Sequence, residues 1–305
     1  MNYTFNSIAT CEMCSSTSEH HKIMGQRLNQ SQGLFPKNKV GVSVSIMRCE
    51  KCELIFSNPQ PIPNSIQDHY GIPAADYWKP QYFDIDLNYF ASPIKKAREL
   101  LNSTQLSPPQ SIKALDVGAG LGKAIIAMNS AGFDTYGLEP SETFREMAIS
   151  KMKIDAEKLK LGGVEDLDYP KESFDFITFG AVLEHLYHPA ENLKKATEWL
   201  KPGGIIHAEI PSSNWLISKL LNLYYSLKGT NYVSNLSPMH VPFHLYEFSE
   251  KSFGKFAEKN NLEIAYYKIE VCTPYHIPKV LHPIFKWYMG LTKSGLQLII
   301  YLRKK

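Results

Sequence analysis

From residue 111 onward, short apolar runs alternate with longer segments in which apolar residues recur at helical spacing. Such alternation is typical of βαβ units around a largely parallel sheet, so the predicted fold class is α/β. The pattern predicts strands at 114–117, 135–138, 174–179, 204–210, 262–271 and 297–302. Helices are predicted between them, at 123–131, 142–151, 190–200 and 249–260. A further helix over 93–101 is predicted to open with Ser92 as its N-cap and Pro93 at its first position.

The segment at about 212–246 is too long for a simple loop between two strands, and long connections of this kind commonly act as lids. We therefore expect a lid insert there. Two apolar segments, 215–227 and 280–291, mix leucines, isoleucines and aromatic residues with lysines. Each is shorter than the ~20 residues needed to span a bilayer. Burial in the core or in a dimer interface is one interpretation, and contact with a membrane surface is the other. The oligomeric state stays open.

Composition and charge narrow the classes of function. The 305 residues are 44% hydrophobic and 21% charged, which excludes a wholly disordered chain. The net charge is only +3, and the one basic run is the tail at 303–305, so there is no electrostatic case for nucleic acid. The first ten residues lack the features of a signal peptide. We expect a cytoplasmic protein that acts on a small molecule.

Four of the five cysteines form two Cys-x-x-Cys knuckles near the N-terminus, and the fifth, Cys272, stands alone. Two such knuckles predict a closed tetrahedral site, the usual coordination of structural zinc. A redox role is the alternative, but neither pair lies in the βαβ context of a redox Cys-x-x-Cys motif. We therefore predict a zinc-binding module at 1–60, with structural zinc held by Cys11, Cys14, Cys49 and Cys52.

A glycine-rich turn follows the first predicted strand of the α/β region. Asp116 ends that strand, and Gly118, Gly120 and Gly122 lead into the next helix. Glu139 ends the following strand, where an acidic side chain can accept hydrogen bonds from both hydroxyls of a ribose. The spacing alone leaves a dinucleotide site open. However, the glycines do not follow the dinucleotide pattern, and Asp116 would repel a pyrophosphate.

The run 114–204 resembles the class I S-adenosylmethionine-dependent methyltransferases. Besides the glycine turn it contains Phe-Asp-Phe-Ile at 174–177, Val-Leu-Glu-His-Leu at 182–186 and Leu-Lys-Pro-Gly-Gly at 200–204, in the order found in that family. The resemblance implies a Rossmann-like seven-stranded sheet with its last strand antiparallel, in a methyltransferase domain at 109–305. It also implies S-adenosylmethionine as cofactor.

The same resemblance assigns roles around the cofactor. The three glycines would pack against its methionine part, Glu139 would hold the ribose, and Gly180 would lie beside the sulfonium. Val164 and either Glu165 or Asp166 would face the adenine. The chain has Gly162-Gly163 where many relatives have Gly-Asp. Asp116 suits the ammonium of the cofactor's amino acid part, through water.

The whole chain is similar to a narrower group, the bacterial zinc-containing sugar C-methyltransferases and related surface-glycan and natural-product enzymes. The likeness rests on the double knuckle, an aromatic linker or lid at 61–108 and the methyltransferase core. It implies a nucleotide-linked sugar or glycan precursor as acceptor. One alternative is O-methylation of a quinone-like or lipidic phenol, which the apolar segments suggest. The other is a non-catalytic zinc-bearing binding module. The methylated atom, whether carbon, oxygen or nitrogen, stays open.

Methyl transfer often requires a base that takes a proton from the acceptor. His185 follows the strand predicted at 174–179, and His244 lies in a segment that resembles the substrate-facing segment of the sugar C-methyltransferases. The candidate catalytic residues are His185, His244, Glu184 and Tyr77.

Overall fold

The computed structural model of the chain describes residues 3–30, 41–64, 79–86, 88–103, 111–274 and 277–305. Strands β2 to β4 form an antiparallel sheet in the N-terminal part, and β1 pairs separately with β5. The sequence pattern did not predict these strands: three of them have only four residues each, and β2 and β3 mix polar with apolar residues. Their bounds are β1 Tyr3–Asn6, β2 His21–Leu28, β3 Ser43–Cys49, β4 Ile55–Asn58 and β5 Gln60–Pro63.

The second part of the chain alternates helices and strands, as predicted. Its helices are α1 Ala91–Asn102, α2 Lys123–Ser130, α3 Glu142–Ser150, α4 Pro189–Trp199, α5 Leu216–Leu227, α6 Glu250–Lys259 and α7 His282–Thr292. Its strands are β6 Lys113–Val117, β7 Asp134–Glu139, β8 Leu159–Leu161, β9 Phe174–Gly180, β10 Leu200–Pro211, β11 Tyr246–Glu247, β12 Leu262–Glu270 and β13 Gln297–Lys304.

Seven of these strands form one sheet in the order β8-β7-β6-β9-β10-β13-β12. Neighbouring strands from β8 to β10 are parallel, whereas β13 runs antiparallel to both β10 and β12. The α/β fold with a seven-stranded sheet and an antiparallel last strand is therefore confirmed. The strand missing from the sequence prediction is β8, whose three residues are too few to show a pattern.

Local sequence explains where two of the helices begin. Helix α6 opens with Ser249, whose Oγ accepts from the Ser252 amide at 3.0 Å while Ser252 Oγ accepts from the Ser249 amide at 3.0 Å. This reciprocal pair is a capping box. The predicted N-cap of α1 is wrong. That helix begins at Ala91, one residue before Ser92, and Phe90 precedes it without a side-chain cap.

The Cys-bearing part and the α/β part of the chain share one hydrophobic cluster. Cys49, Cys52 and Phe56 lie in the same buried cluster as Tyr246 and Phe248. Strand β11 pairs with β4, with Tyr246 opposite Phe56, and so adds an edge strand to the N-terminal sheet. Because this sheet takes strands from both parts, residues distant in sequence are positioned together. The boundaries near 60 and 108 stay predictions, and 65–78 and 104–110 lie outside the described residues.

The insert at 212–246 packs on the N-terminal sheet. Val233, Leu236 and Met239 are buried against residues of β3 and β4, and Tyr232 forms a bridge to Gln26 of β2. The insert therefore contacts the Cys-bearing module as well as the α/β part of the chain. Its action as a lid stays a prediction.

Candidate active site

The glycine turn after β6 contains three residues with a left-handed backbone, and the space around them differs. Gly118, Gly120 and Gly122 have φ angles of 70°, 54° and 75°. A Cβ at Gly118 would lie 2.6 Å from Val182, and one at Gly122 would lie 2.8 Å from Ile154. At Gly120 it would meet nothing within 4 Å. The outer glycines therefore allow close packing, and Gly120 leaves open space beside the backbone.

Glu139 ends β7 and braces this turn. Its Oε2 accepts from the Gly120 amide at 2.7 Å, and its Oε1 accepts from the Ser141 amide at 2.8 Å. The carboxyl is buried, and burial raises its pKa while the two amide hydrogen bonds lower it. Since each carboxylate oxygen has two acceptor positions, both oxygens keep the capacity to accept a ligand hydroxyl.

A cavity of about 970 Å³ opens beside the turn. Five of the eight predicted cofactor residues line it, namely Gly118, Gly120, Glu139, Val164 and Glu165. Asp116, Gly122 and Gly180 are not among the lining residues. Gly122, which immediately precedes α2, instead packs on Ile154. Asp116 is buried at the end of β6, where burial and then the nearby Glu139 charge raise its pKa to about 7.

The cavity wall also contains residues that the sequence prediction did not assign to the site. Phe144 has helical spacing in α3, and it lines the cavity. Pro63 of β5 brings the N-terminal part to the wall, and Asn192 and Lys195 come from α4. The helical spacing of Phe144 is the one sequence signal that indicates an inward-facing side chain. Nothing in the local sequence predicts that Pro63 lies in the cavity wall.

The turn that follows β9 brings His185 to the cavity wall. His185 Nδ1 lies 3.3 Å from the Phe243 carbonyl oxygen, and the Leu245 amide donates to the Glu184 carbonyl at 2.7 Å. A carbonyl can only accept, so Nδ1 carries the proton and Nε2 carries the basic lone pair. These bonds fix the 184–185 turn against the segment that contains His244.

Glu184, His185 and His244 form a cluster. Their ligand atoms lie within 4.8 Å of one another, and the two imidazole rings are 5.0 Å apart in an edge-to-face arrangement. Burial lowers the pKa of His185, and burial followed by the charge of His185 lowers the pKa of His244 to about 3. Burial raises the pKa of Glu184 to about 8. At neutral pH the imidazoles are uncharged and Glu184 is predominantly protonated.

The structure does not place every candidate on the cavity. His185 lines it, whereas Glu184 and His244 lie behind His185 and are absent from the lining. Tyr77 lies outside the described residues. His188, which the sequence did not assign to the site, immediately precedes α4. It borders the cavity and lies 3.5 Å from Glu12 of the first knuckle.

The four knuckle cysteines converge on one point. All four are buried, and their sulfur atoms lie within 4.8 Å of one another. The Sγ atoms of Cys11 and Cys52 are 3.5 Å apart, as are those of Cys14 and Cys49. A tetrahedral zinc with Zn–S bonds of ≈ 2.3 Å needs sulfurs about 3.8 Å apart, so this set fits such an ion. Ser16 Oγ lies 3.1 Å from Cys49 Sγ.

The chain matches known proteins over this part of the fold. The family described as "Methyltransferase domain" matches residues 89–267. A ubiquinone biosynthesis O-methyltransferase from Rhodopseudomonas palustris (strain TIE-1) is 28% identical over 141 residues, covering 45% of this chain and 53% of the relative. A demethylmenaquinone methyltransferase from Bacillus mycoides is 37% identical over 100 residues, covering 30% of this chain and 41% of the relative.

The chain is also similar, at low identity, to parts of solved structures. A SAM-dependent methyltransferase from Archaeoglobus fulgidus is 14% identical and has a TM-score of 0.48, covering 73% of this chain and 97% of that one. The chain spans about half the length of the first curated relatives it matches. The family match covers more than half of the chain. The chain therefore belongs to the class I S-adenosylmethionine-dependent methyltransferases.

Proposed function

We propose that this protein transfers a methyl group from S-adenosylmethionine to a small-molecule acceptor held beside His185. The observation that carries the proposal is a single cavity lined by the glycine turn, Glu139 and His185. Gly118 and Gly120 would lie against the methionine part of the cofactor, and Glu139 would accept from the ribose hydroxyls. Val164 and Glu165 would face the adenine. When bound, the cofactor supplies an electrophilic methyl group on a sulfonium sulfur.

His185 is the proposed base because it is the one member of the Glu184–His185–His244 cluster that lines the cavity. Its Nδ1 donates to Phe243, so Nε2 is the atom that would take the acceptor's proton. His244 supports the ring edge-on and, with a pKa of about 3, stays neutral and adds no competing charge. Glu184 in its protonated form fills the buried space behind the two rings.

We propose structural zinc at the Cys11, Cys14, Cys49 and Cys52 site. A closed Cys₄ site leaves no position for substrate, so the ion would stabilise the fold and take no part in methyl transfer. The module extends to the cavity through Pro63 and through the pair between Glu12 and His188. Zinc would thus hold one wall of the cavity in place.

The first acceptor class to test is a nucleotide-linked sugar or glycan precursor. The support is the N-terminal module, whose β4 pairs with the strand that follows His244 and whose β5 contributes Pro63 to the wall. The second class is a quinone-like phenol. Its support is the pair of matched relatives named as ubiquinone and demethylmenaquinone methyltransferases.

Calorimetry and a methyl-transfer assay test the proposal together. S-adenosylhomocysteine should bind the purified protein. If it does not bind, the enzyme hypothesis is refuted and a non-catalytic binding module is favoured. His185→Asn should leave that binding unchanged and lower kcat about 10²–10⁴-fold, the usual contribution of a general base. His282→Asn, outside the cavity lining, is the control. A deoxysugar nucleotide and a prenylated catechol, assayed in parallel, distinguish the acceptor classes.

A further inference from the structure

Glu184, His185 and His244 bring one carboxyl group and two imidazoles together. Their ligand atoms all lie within 4.8 Å of one another. A tetrahedral ion with bonds of about 2.1 Å to nitrogen and oxygen needs ligand atoms about 3.4 Å apart, so side-chain shifts of about 1 Å or less complete the set. Two imidazoles and one carboxylate bind zinc and ferrous iron in proteins. The cluster therefore has the composition and the spacing of a divalent-cation site.

The carboxyl group of Glu184 is buried with one oxygen unpaired. Glu184 is 2% exposed, and its Oε2 makes no hydrogen bond with any of the described residues. A buried polar atom without a partner is unfavourable, and a bound ion is one way to satisfy it. Burial, and then the charge of Glu209 on β10, raises the pKa of Glu184, and among the described residues no lysine or arginine lowers it. A cation at Oε2 would thus meet negative charge from two carboxylates.

The two imidazoles are in the form that binds a metal. A histidine ligand must be neutral, and burial lowers the pKa of both His185 and His244. His185 Nδ1 donates to the Phe243 carbonyl at 3.3 Å. A histidine that binds a metal commonly donates its other ring N–H to a carbonyl or carboxylate in this way, which orients the ligating nitrogen. The Phe243 carbonyl therefore makes Nε2 the ligand atom of His185.

Backbone hydrogen bonds hold together the two segments that supply these side chains. The Leu245 and Tyr246 amides both donate to the Glu184 carbonyl, at 2.7 and 3.3 Å, and the His185 amide donates to the Val182 carbonyl at 2.9 Å. These bonds lie at the ligand positions or next to them in the chain. The three side chains are therefore brought together by the fold itself, so that little ordering remains to be done when an ion binds.

We infer that this cluster is a second cation site, which binds zinc when the ion is in excess and thereby withdraws the base from methyl transfer. A neutral imidazole has one lone pair, so His185 cannot hold the ion and accept a proton from the acceptor at the same time. His185 lines the cavity, which gives the ion its route to Glu184 and His244 behind it. Binding of the ion is independent of the proposed function, whereas the loss of activity rests on it.

This second site should be weaker than the Cys₄ site. It offers three ligands, two of them uncharged, whereas the knuckles offer four thiolates. Protein prepared without added zinc should therefore contain about one ion per chain, at the cysteines, and the second ion should bind only on titration.

Zinc titration of the full-length protein with its Cys₄ site loaded tests the inference. Without cofactor, the native protein should take up a second zinc, and in the assay the methyl-transfer rate should fall with an inhibition constant equal to the Kd of that zinc. Glu184→Gln and His244→Gln should each weaken both quantities at least about tenfold, since loss of even an outer partner of a metal ligand costs about 10–100-fold. Inhibition is expressed relative to each variant's own rate without added zinc.

The matched control is Glu258→Gln. Glu258 is exposed on α6 and pairs with Lys255 at 2.8 Å, so this variant should bind the second zinc and be inhibited as the native protein is.

Three results would overturn the inference. They are a single zinc per chain throughout the titration, a second zinc that both ligand variants bind as tightly as the native protein does, and a methyl-transfer rate that stays constant or rises as the second site fills. Binding of S-adenosylhomocysteine, measured without added zinc, is the separate readout of the proposed function. Its failure beside normal uptake of the second zinc would refute the proposed function and leave the metal site standing.

Discussion

Gly120 and Gly132 provide a matched pair of substitutions that separates backbone strain from loss of cofactor space. Both have left-handed φ angles, 54° and 83°, and at both an added Cβ would meet nothing within 4 Å. They differ in that Gly120 lines the cavity, whereas Gly132 is exposed at the end of α2. Replacement by alanine therefore imposes the same kind of strain at both positions, but adds a methyl group to the cavity wall at only one.

The expected magnitudes follow from these two terms. A left-handed alanine costs about 1–2 kcal/mol of folding free energy at each site. Thermal unfolding should therefore shift by about 2–8 °C in both variants. In Gly120→Ala, the methyl group would also overlap the cofactor. Overpacking of about 1–3 kcal/mol corresponds to an affinity weaker by about five- to 150-fold.

Calorimetric titration with S-adenosylhomocysteine, alongside thermal unfolding, measures both effects. We expect Gly132→Ala to bind as the native protein does, and Gly120→Ala to bind at least about fivefold more weakly. If both variants bind the ligand equally well, the assignment of Gly120 to the cofactor site is refuted. A third variant, Gly118→Ala, should be the least stable of the three, because its Cβ would also lie 2.6 Å from Val182.

Three further outcomes are expected. Metal analysis should give about one zinc per chain. Cys49→Ser should lose the zinc together with stability and methyl transfer, whereas Cys272→Ser should retain all three. Full activity without zinc would contradict the proposed link between the zinc site and the cavity. Glu184→Gln should flatten the pH dependence of the free energy of unfolding. In the native protein the pKa of Glu184 is raised from 4.5 in the unfolded chain to about 8 in the folded one, so its bound proton stabilises the fold. That stabilisation is fully present below pH 4.5 and is lost as the pH rises through 8, by at most about 1.4 kcal/mol per pH unit. An identical urea-unfolding profile for Glu184→Gln and the native protein between those pH values would show that Glu184 does not titrate there. Because the pKa of His244 is lowered from 6.5 to about 3 in the folded protein, its protonation favours the unfolded chain. His244→Gln should therefore reduce the loss of stability as the pH falls from 6.5 towards 3. An unchanged loss of stability over that pH range would be the contrary result.

The methyltransferase sheet was predictable because its strands are buried on both faces. In β9, Phe174, Phe176, Ile177 and Phe179 are all inaccessible to solvent, which gives a continuous apolar run that local sequence reveals. The three residues of β8 and the two of β11 offer no such run. Strand β8 pairs with β7, the strand before it, and β11 pairs with β4 in the distant N-terminal part. Neither position follows from a local pattern of apolar residues.

The same distinction divides the candidate site. The glycine turn and Glu139 belong to consecutive βαβ units, so their spacing in sequence predicts their proximity. The approach of His244 to His185 depends on the pairing of Tyr246 with Phe56 and on the hydrogen bond from Leu245 to Glu184. Those contacts connect three segments of the chain. Sequence reasoning named both histidines, but only the fold shows that one lines the cavity and the other lies behind it.

The N-terminal module gains a role from this arrangement that its cysteines alone do not suggest. Its strand β4 pairs with β11, Ser249 Oγ donates to the Cys52 carbonyl at 2.9 Å, and Lys259 donates to the Cys14 carbonyl. The first two of these contacts fall within the segment 246–249, which begins two residues beyond His244. A module too small to build a core of its own gains stability from a metal. Rigidity at the four sulfurs would therefore be transmitted through β4 and β11 to the histidine cluster, so the proposed zinc would help to position the proposed base, His185.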